Sequence, residues 1–286
     1  MMLIAGTVPN EDLPVITGEV KKDGDFLVID GHRIQCMQGT AAMISAALAA
    51  TNYLKLDAPH ALVAGDVGVG NGSRAIFQYI AEQIDKMKPK LLVLHYCLPV
   101  VGLFKRAFEA INKVTPKPYL IADAGAMYAA KALGLAPQFD VFTPDFSELA
   151  YLADPNATHP AYVAKYLFDS DSKQIPNLIE TAYKNHSAPK LLVAKGSTDY
   201  IAQDGQVVAT ISEPDVPMLE PIGGTGDTIT GLLAAFIYSG MKPVEAAIMA
   251  AKVNRMAGLA GQITPETKVG ELVEYFKDVF PKLLSN

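Results

Sequence analysis

Gly223-Gly224-Thr225-Gly226-Asp227-Thr228 leads without a break into Ile229-Thr230-Gly231-Leu232-Leu233-Ala234-Ala235-Phe236, a glycine-dense turn feeding an apolar helix. Three glycines within four residues let the backbone bend so that several N–H groups point one way. The helix adds its free first-turn N–H groups and the positive end of its dipole. Gly224, Thr225 and Gly226 therefore read as a cradle for an anionic oxygen, most often a phosphate. Asp227 inside that cradle is electrostatically out of place. It is best explained as an acid or base working on whatever the cradle holds. A plainer reading is also open, in which Asp227 is an ordinary N-cap in a flexible loop.

Upstream of this turn, short apolar runs alternate with amphipathic stretches. Residues 61–65, 91–96, 119–123, 140–143 and 191–196 read as strands, with helices at 75–86, 103–114 and 127–133 between them. A hairpin is expected from 200–202 and 207–210, and two helices, from Thr228 and from Pro243, are expected to close the chain. Continuous apolar strands alternating with helices predict an α/β fold: a central, mostly parallel sheet covered by helices on both faces. Ligands of such sheets bind outside the carboxyl ends of the strands. Asp66, His95, Asp123, Thr143, Glu148 and Lys195 all fall there, which points to a single cleft. Residues 39–286 are expected to form one domain. Residues 1–38 read as a small β-rich extension lying over the sheet edge or a partner.

The chain has 286 residues, of which 50% are hydrophobic and 19% charged, with a net charge of −6. That is the composition of a globular enzyme with a substantial core. Without a basic stripe it argues against nucleic acid as a partner, and without a Lys/Arg cluster against a membrane surface. The apolar runs are too short to span a bilayer. Cys36 and Cys97 are far apart, as in a reduced intracellular protein. The opening segment lacks a basic n-region, so no signal peptide is read and the cytoplasm is the expected compartment. The alanine-rich helix at 41–50 and the N-terminal strands offer surfaces for a homo-oligomer, but either could equally be core.

Several other residues carry candidate chemistry. Asp123 closes a strand, where a carboxylate binds a hydroxyl or hydrated Mg²⁺, or else caps the following helix. Asp145 and Glu148, three apart in Thr143-Pro144-Asp145-Phe146-Ser147-Glu148, share one face of a first helical turn. They suit either a capping box or a water-mediated Mg²⁺ site. Lys195-Gly196-Ser197-Thr198 could grip a nucleotide phosphate or ribose, or end a strand in solvent. Asp66, Gly68 and Gly70 lie in a second glycine-rich turn that could wall a substrate site, with Arg74 on a phosphate, or simply turn tightly. His95 could be a hydrogen-bonded core residue or part of a site. Neither a G-x-S-x-G elbow nor a Walker P-loop is present.

Taken in order, these pieces resemble the ribokinase-like superfamily. Gly224-Thr225-Gly226-Asp227 matches its G-[AT]-G-D signature, Thr143 to Glu148 its T-P-N-x-x-E segment, and Lys195 to Thr198 its K-G-x-x-G/T turn. Within the superfamily the chain is most similar to the NAD(P)H-hydrate dehydratase branch over about residues 39–280, through Gly68/Gly70, Ala122-Asp123-Ala124-Gly125-Ala126 and Gly223 to Gly231. Asp145 stands where that branch carries His. The resemblance implies a three-layer ribokinase-like fold. It implies ATP or ADP held by Lys195, Gly196, Thr198 and Asn254, with terminal phosphates at Gly224–Gly226. It also implies Mg²⁺ bound through water at Asp145 and Glu148, with K⁺ as a candidate further ion. Asp66, Gly68, Gly70 and Asp123 would hold a small-molecule substrate, and Asp227 would take a proton from its hydroxyl. Three functions follow from the resemblance: an NAD(P)H-hydrate dehydratase, a small-molecule or carbohydrate kinase, or a nucleotide-binding regulator that has lost turnover.

Overall fold

A computed structural model describes residues 1–157 and 174–284. Its main sheet contains β1 (Met2–Val8), β2 (Ile16–Glu19), β6 (His60–Gly65), β7 (Leu91–His95), β8 (Tyr119–Ala122), β9 (Val141–Phe142), β10 (Leu191–Ala194), β11 (Asp199–Gln203) and β12 (Gln206–Ile211). The nine strands run in the order β12-β11-β10-β9-β8-β7-β1-β6-β2. The six from β10 to β6 are parallel, and antiparallel β2 and the β11–β12 hairpin flank them. A separate three-stranded antiparallel sheet holds β3 (Lys21–Asp23), β4 (Phe26–Ile29) and β5 (His32–Gln35).

The pleat sends alternate side chains into two cores. Met2, Ile4, Leu91, Val93, Leu191 and Val193 join a core with α1 (Gly39–Tyr53), α7 (Thr225–Tyr238), α8 (Pro243–Ala260), α9 (Val269–Glu274) and α10 (Phe276–Leu284). Leu3, Ala5, Leu92, Leu94, Leu192 and Ala194 join the other, with α2 (Asn71–Met87), α3 (Val101–Ile111), α4 (Gly125–Ala132), α5 (Phe146–Ala153) and α6 (Ile175–Lys184). Strands buried on both faces are why the sequence shows continuous apolar runs rather than alternation.

Three expectations need correction. Residues 1–38 are not all an extension: Met2–Val8 is buried along its length and pairs with β6 on one side and β7 on the other, in the interior of the main sheet. Residues 16–19 add the edge strand β2, and only β3–β5 form a separate layer. The alanine-rich helix is core: Gly231 of α7 comes so close to α1 that a Cβ there would lie 2.1 Å from the Met43 carbonyl oxygen. The chain also does not end on two helices, since the six-residue α9 and α10, with Pro281 inside it, follow α8.

Candidate active site

Asp227 stands in the first turn of α7, three residues past the N-cap Gly224. Gly224 takes φ +99°, and a Cβ there would lie 3.0 Å from Gln38 Cα and 3.2 Å from Ala42 Cβ. Both the turn and the close approach of α1 therefore require glycine. Thr225 does not face the cleft; its hydroxyl turns back to the Leu219 and Ile222 carbonyls at 3.0 and 3.1 Å. The N–H groups of Gly226 and Asp227 meet no acceptor among the described residues. A Cβ at Gly226 would lie 3.6 Å from Lys195 Nζ, so an ammonium borders the space those groups face. Two open N–H groups, a helix N-terminus and a cation fit an anionic oxygen.

The Asp227 carboxylate is fixed from behind. Its Oδ2 accepts the Gly39 N–H at 2.8 Å, at the start of α1, and its Oδ1 lies 3.0 Å from Nε2 of His95, the last residue of β7. His95 is wholly buried and its Nδ1 lies 2.9 Å from the Thr40 hydroxyl. Burial alone would raise the pKa of Asp227. The His95 hydrogen bond, the charges of His95 and Lys195, and the Gly39 N–H outweigh it and hold the group below the ordinary carboxylate range. The side chain remains 15% exposed.

Lys195 donates to both oxygens of Asp123, at 3.1 and 2.9 Å. Burial disfavours its charge, but Asp123 first, then Glu148 and Asp227, keep the ammonium well above its ordinary range. Asp123 also accepts the Thr230 hydroxyl at 2.7 Å and the Ala124 N–H at 2.9 Å, with Thr143 Oγ1 a further 2.9 Å beyond Thr230. A carboxylate so fully engaged does not receive a substrate hydroxyl, contrary to expectation. His95, Asp123 and Asp227 bring possible metal-ligand atoms within 4.8 Å of one another. Lys195 takes both Asp123 oxygens and His95 takes one of Asp227, so the cluster is bonded from within.

Asp145 and Glu148 form a capping box. Asp145 Oδ1 accepts the Glu148 N–H and Glu148 Oε2 accepts the Asp145 N–H, both at 2.8 Å. Tyr128 Oη lies 2.9 Å from the other Glu148 oxygen. Burial, then the charges of Asp145 and Asp123, push Glu148 up to about 8. Both Glu148 oxygens are engaged within the protein, while Asp145 stands exposed, so the pair serves as a capping box with Asp145 at the surface.

Three other residues expected at a ligand make bonds within the protein. Asp66 accepts the N–H groups of Gly68, Gly70 and Ser73 at 3.0, 2.8 and 3.0 Å and the Ser73 hydroxyl at 2.9 Å. Although burial opposes it, these bonds hold its pKa below the ordinary carboxylate range, and the Asp66 oxygens are taken up by the turn itself. Arg74 donates to the Val69 carbonyl at 3.2 Å. Asn254 is buried and accepts the Thr228 hydroxyl at 2.7 Å, tying α8 to α7 instead of lining an open pocket.

The next residue, Arg255, carries a role the sequence did not reveal. It bonds Asp199 Oδ2 through Nε at 2.9 Å and Nη2 at 2.8 Å, and Nη2 also reaches the Gly196 and Ser197 carbonyls at 2.9 Å. With the Gly196 N–H on Asp199 Oδ1 at 3.1 Å, it latches the Lys195–Thr198 turn in place. Thr198 stays half-buried and Gly196 exposed on that turn.

This sheet order, with an anion cradle at the start of α7, defines the class: an α/β protein with the fold of the ribokinase-like kinases. A family model described as NAD(P)H-hydrate dehydratase matches residues 100–276, and the chain belongs to that family of enzymes. An uncharacterized protein of Methanocaldococcus jannaschii is 36% identical over 85% of this chain and 99% of its own length. The bifunctional NAD(P)H-hydrate repair enzyme of Pyrobaculum aerophilum is 43% identical over 56% of this chain, a match covering 29% of that enzyme. Among solved structures, the ADP/ATP-dependent NAD(P)H-hydrate dehydratase of Bacillus subtilis, co-crystallized with ATP/Mg²⁺, superposes with a TM-score of 0.58 at 13% identity. That superposition covers 99% of this chain and 89% of the other and speaks to fold alone.

Proposed function

We propose that the chain is an ATP- or ADP-dependent NAD(P)H-hydrate dehydratase with Asp227 as its base. The observation that carries this reading is the ionised, partly exposed Asp227 carboxylate beside the open N–H groups of α7 and the Lys195 ammonium. Asp227 takes the proton of the hydroxyl on the hydrated nicotinamide ring as its oxygen attacks the terminal phosphorus of the nucleotide. The new O–P bond forms as the bridging P–O bond breaks, releasing the shortened nucleotide. The ring C–O bond then breaks, phosphate departs with that oxygen, and loss of a ring proton restores the double bond. The Gly226 and Asp227 N–H groups and Lys195 stabilise charge on the transferring group. One such donor contributes about 10²–10³ in rate in other enzymes. Gly196 and Thr198, on the turn latched by Arg255, are the surface residues proposed to meet the nucleotide. Mg²⁺, when bound, neutralises phosphate charge, and no step here depends on where it sits.

Hydrated NADH offered with ATP or ADP and Mg²⁺, with and without K⁺, should recover the absorbance of reduced nicotinamide. Asp227→Asn should abolish recovery while nucleotide still binds, as read by calorimetry; surviving turnover would remove Asp227 as the base. The same base and cradle serve phosphoryl transfer to a stable alcohol. No recovery of absorbance, together with phosphorylation of a panel of sugars and hydroxyalkyl heterocycles, would replace the dehydratase with a small-molecule kinase.

A further inference from the structure

His95 is a fully buried polar ring at the end of the central strand β7, between buried Leu94 and exposed Tyr96. Both ring nitrogens are used in a directed way. Because Asp227 only accepts, Nε2 carries the hydrogen of the 3.0 Å bond; the Thr40 hydroxyl lies 2.9 Å from Nδ1 and donates to it when the ring is neutral. The surrounding backbone accommodates this arrangement. A Cβ at Gly6 of β1 would lie 2.4 Å from the His95 carbonyl oxygen and 2.5 Å from Thr40 Oγ1, so β1 carries no side chain where β7 and α1 converge. The Tyr96 ring stands edge-on to the imidazole with centroids 4.6 Å apart, and the Tyr96 carbonyl accepts the Thr7 hydroxyl at 2.5 Å. Gly39 and His95 each take one oxygen of Asp227 from the interior side.

On the reading of Asp227 as the base, we propose that His95 is a positioning residue: its Nε2–H aims the Asp227 carboxylate at the substrate hydroxyl, and Thr40 fixes the tautomer that does so. The charged and titratable groups around Asp227 are His95 and Tyr96 from β7 and its loop, Asp123 beyond β8, Lys195 beyond β10 and Glu148 on α5. The α1 end contributes only the Gly39 N–H and the Thr40 hydroxyl.

Gln and Asn separate the two ring nitrogens. Gln carries an N–H to where Nε2 stands, whereas Asn reaches only to the place of Nδ1. H95N should lower kcat about 100-fold, as displacement of a reacting group by about 1 Å does, with KM for nucleotide within about twofold. It should also move the acid limb of the kcat/KM–pH profile upward, because Asp227 loses a donor. H95Q should recover kcat to within about tenfold of wild type and restore the acid limb. In the free protein, ¹⁵N NMR should show His95 as the Nε2–H tautomer, and the ¹³Cγ titration of Asp227 should shift upward in H95N but not in H95Q. Equal behaviour of the two variants, or an Nδ1–H tautomer, overturns the proposal. If neither variant folds, the tautomer and the effect of the isosteric Thr40→Val on kcat decide. An Nδ1–H ring or an unchanged kcat overturns it. The two layers fail separately: an active D227N removes the base itself, whereas an inactive D227N beside indistinguishable H95N and H95Q removes only the role of His95.

Discussion

Replacing Glu148 with Gln should change how stability responds to pH. In the native protein burial, then Asp145 and Asp123, push this carboxyl from an ordinary 4.5 to about 8, against Lys195 and the Asp145 N–H. Native protein therefore keeps a proton that the unfolded chain releases above about 4.5. The sign follows from linkage. This contribution is fully present below 4.5 and is lost as pH rises through about 8. At about 1.4 kcal/mol per pH unit the interval sets a ceiling of about 5 kcal/mol. Proton sharing with Asp145 and Asp123 spreads the titration, so about 2–3 kcal/mol is the expected loss between pH 5 and 8.5.

Gln keeps the shape, accepts the Asp145 N–H through its carbonyl, offers an amide hydrogen to the Tyr128 oxygen, and does not titrate. Urea unfolding from pH 5 to 8.5, read with a constant slope, measures the difference. Asp199, also raised chiefly by burial, is common to both proteins and cancels. Asp66 and Asp227, both held low, lose their contribution only as pH falls below the ordinary carboxylate range. Wild type should lose about 2–3 kcal/mol more than E148Q across this window, with E148Q overtaking it at high pH. Parallel curves would refute a proton held on Glu148. E148Q should also keep its Mg²⁺-dependent activity; an inactive but folded variant would restore Glu148 as a metal ligand.

Lys195→Met leaves Asp123, whose side chain is 2% exposed, without its cation. It should cost about 3–5 kcal/mol in urea unfolding, and Asp123→Asn in the same background should recover part of the loss; strictly additive losses would mean the two groups are uncoupled. Arg255→Met strands Asp199, likewise 2% exposed, together with the Gly196 and Ser197 carbonyls. A similar loss of about 3–5 kcal/mol is expected, with faster amide exchange at Gly196, whose N–H is held by Asp199; a loss under about 1 kcal/mol would mean the latch is slack.

The parallel sheet was legible because strands covered on both faces must be apolar throughout, as residues 91–94 and 191–194 are. The cleft was legible because strand ends collect polar side chains, and His95, Asp123 and Lys195 do meet Asp227 there. What local pattern could not supply was who partners whom. Lys195 finds Asp123 across 72 residues of sequence and His95 finds Asp227 across 132, and such pairs depend on strand order rather than spacing. The same limit applies to Asp199 and Arg255, which look like a strand start and a helix surface until the turn is built around them. Met2–Val8 did carry a readable signal, the apolar run Met2-Leu3-Ile4-Ala5, but its place between β6 and β7 follows from topology alone. The capping box at Asp145 and Glu148 was readable, though its burial, which turns a possible metal ligand into a neutral carboxyl, was not.

On the proposed function, the partners explain why Asp227, rather than Asp123 or Glu148, would serve as the base. Asp123 gives both oxygens to Lys195 and takes two further donors, so it has no basic lone pair to offer. Glu148 retains a proton near neutral pH and holds the start of α5. Asp227 alone of the three is ionised, partly exposed and bound only on its inner side, with each oxygen keeping a lone pair beyond the Gly39 and His95 bonds. A base held well below neutrality is weak in isolation. It becomes effective where the proton it accepts leaves a hydroxyl whose oxygen is gaining a bond to phosphorus, since that hydroxyl is far more acidic in the transition state than in water. The neighbouring N–H groups and ammonium favour that charge redistribution. The low pKa of Asp227 therefore fits a proposed base that must stay ionised beside a bound polyphosphate, whose negative charge would otherwise raise it.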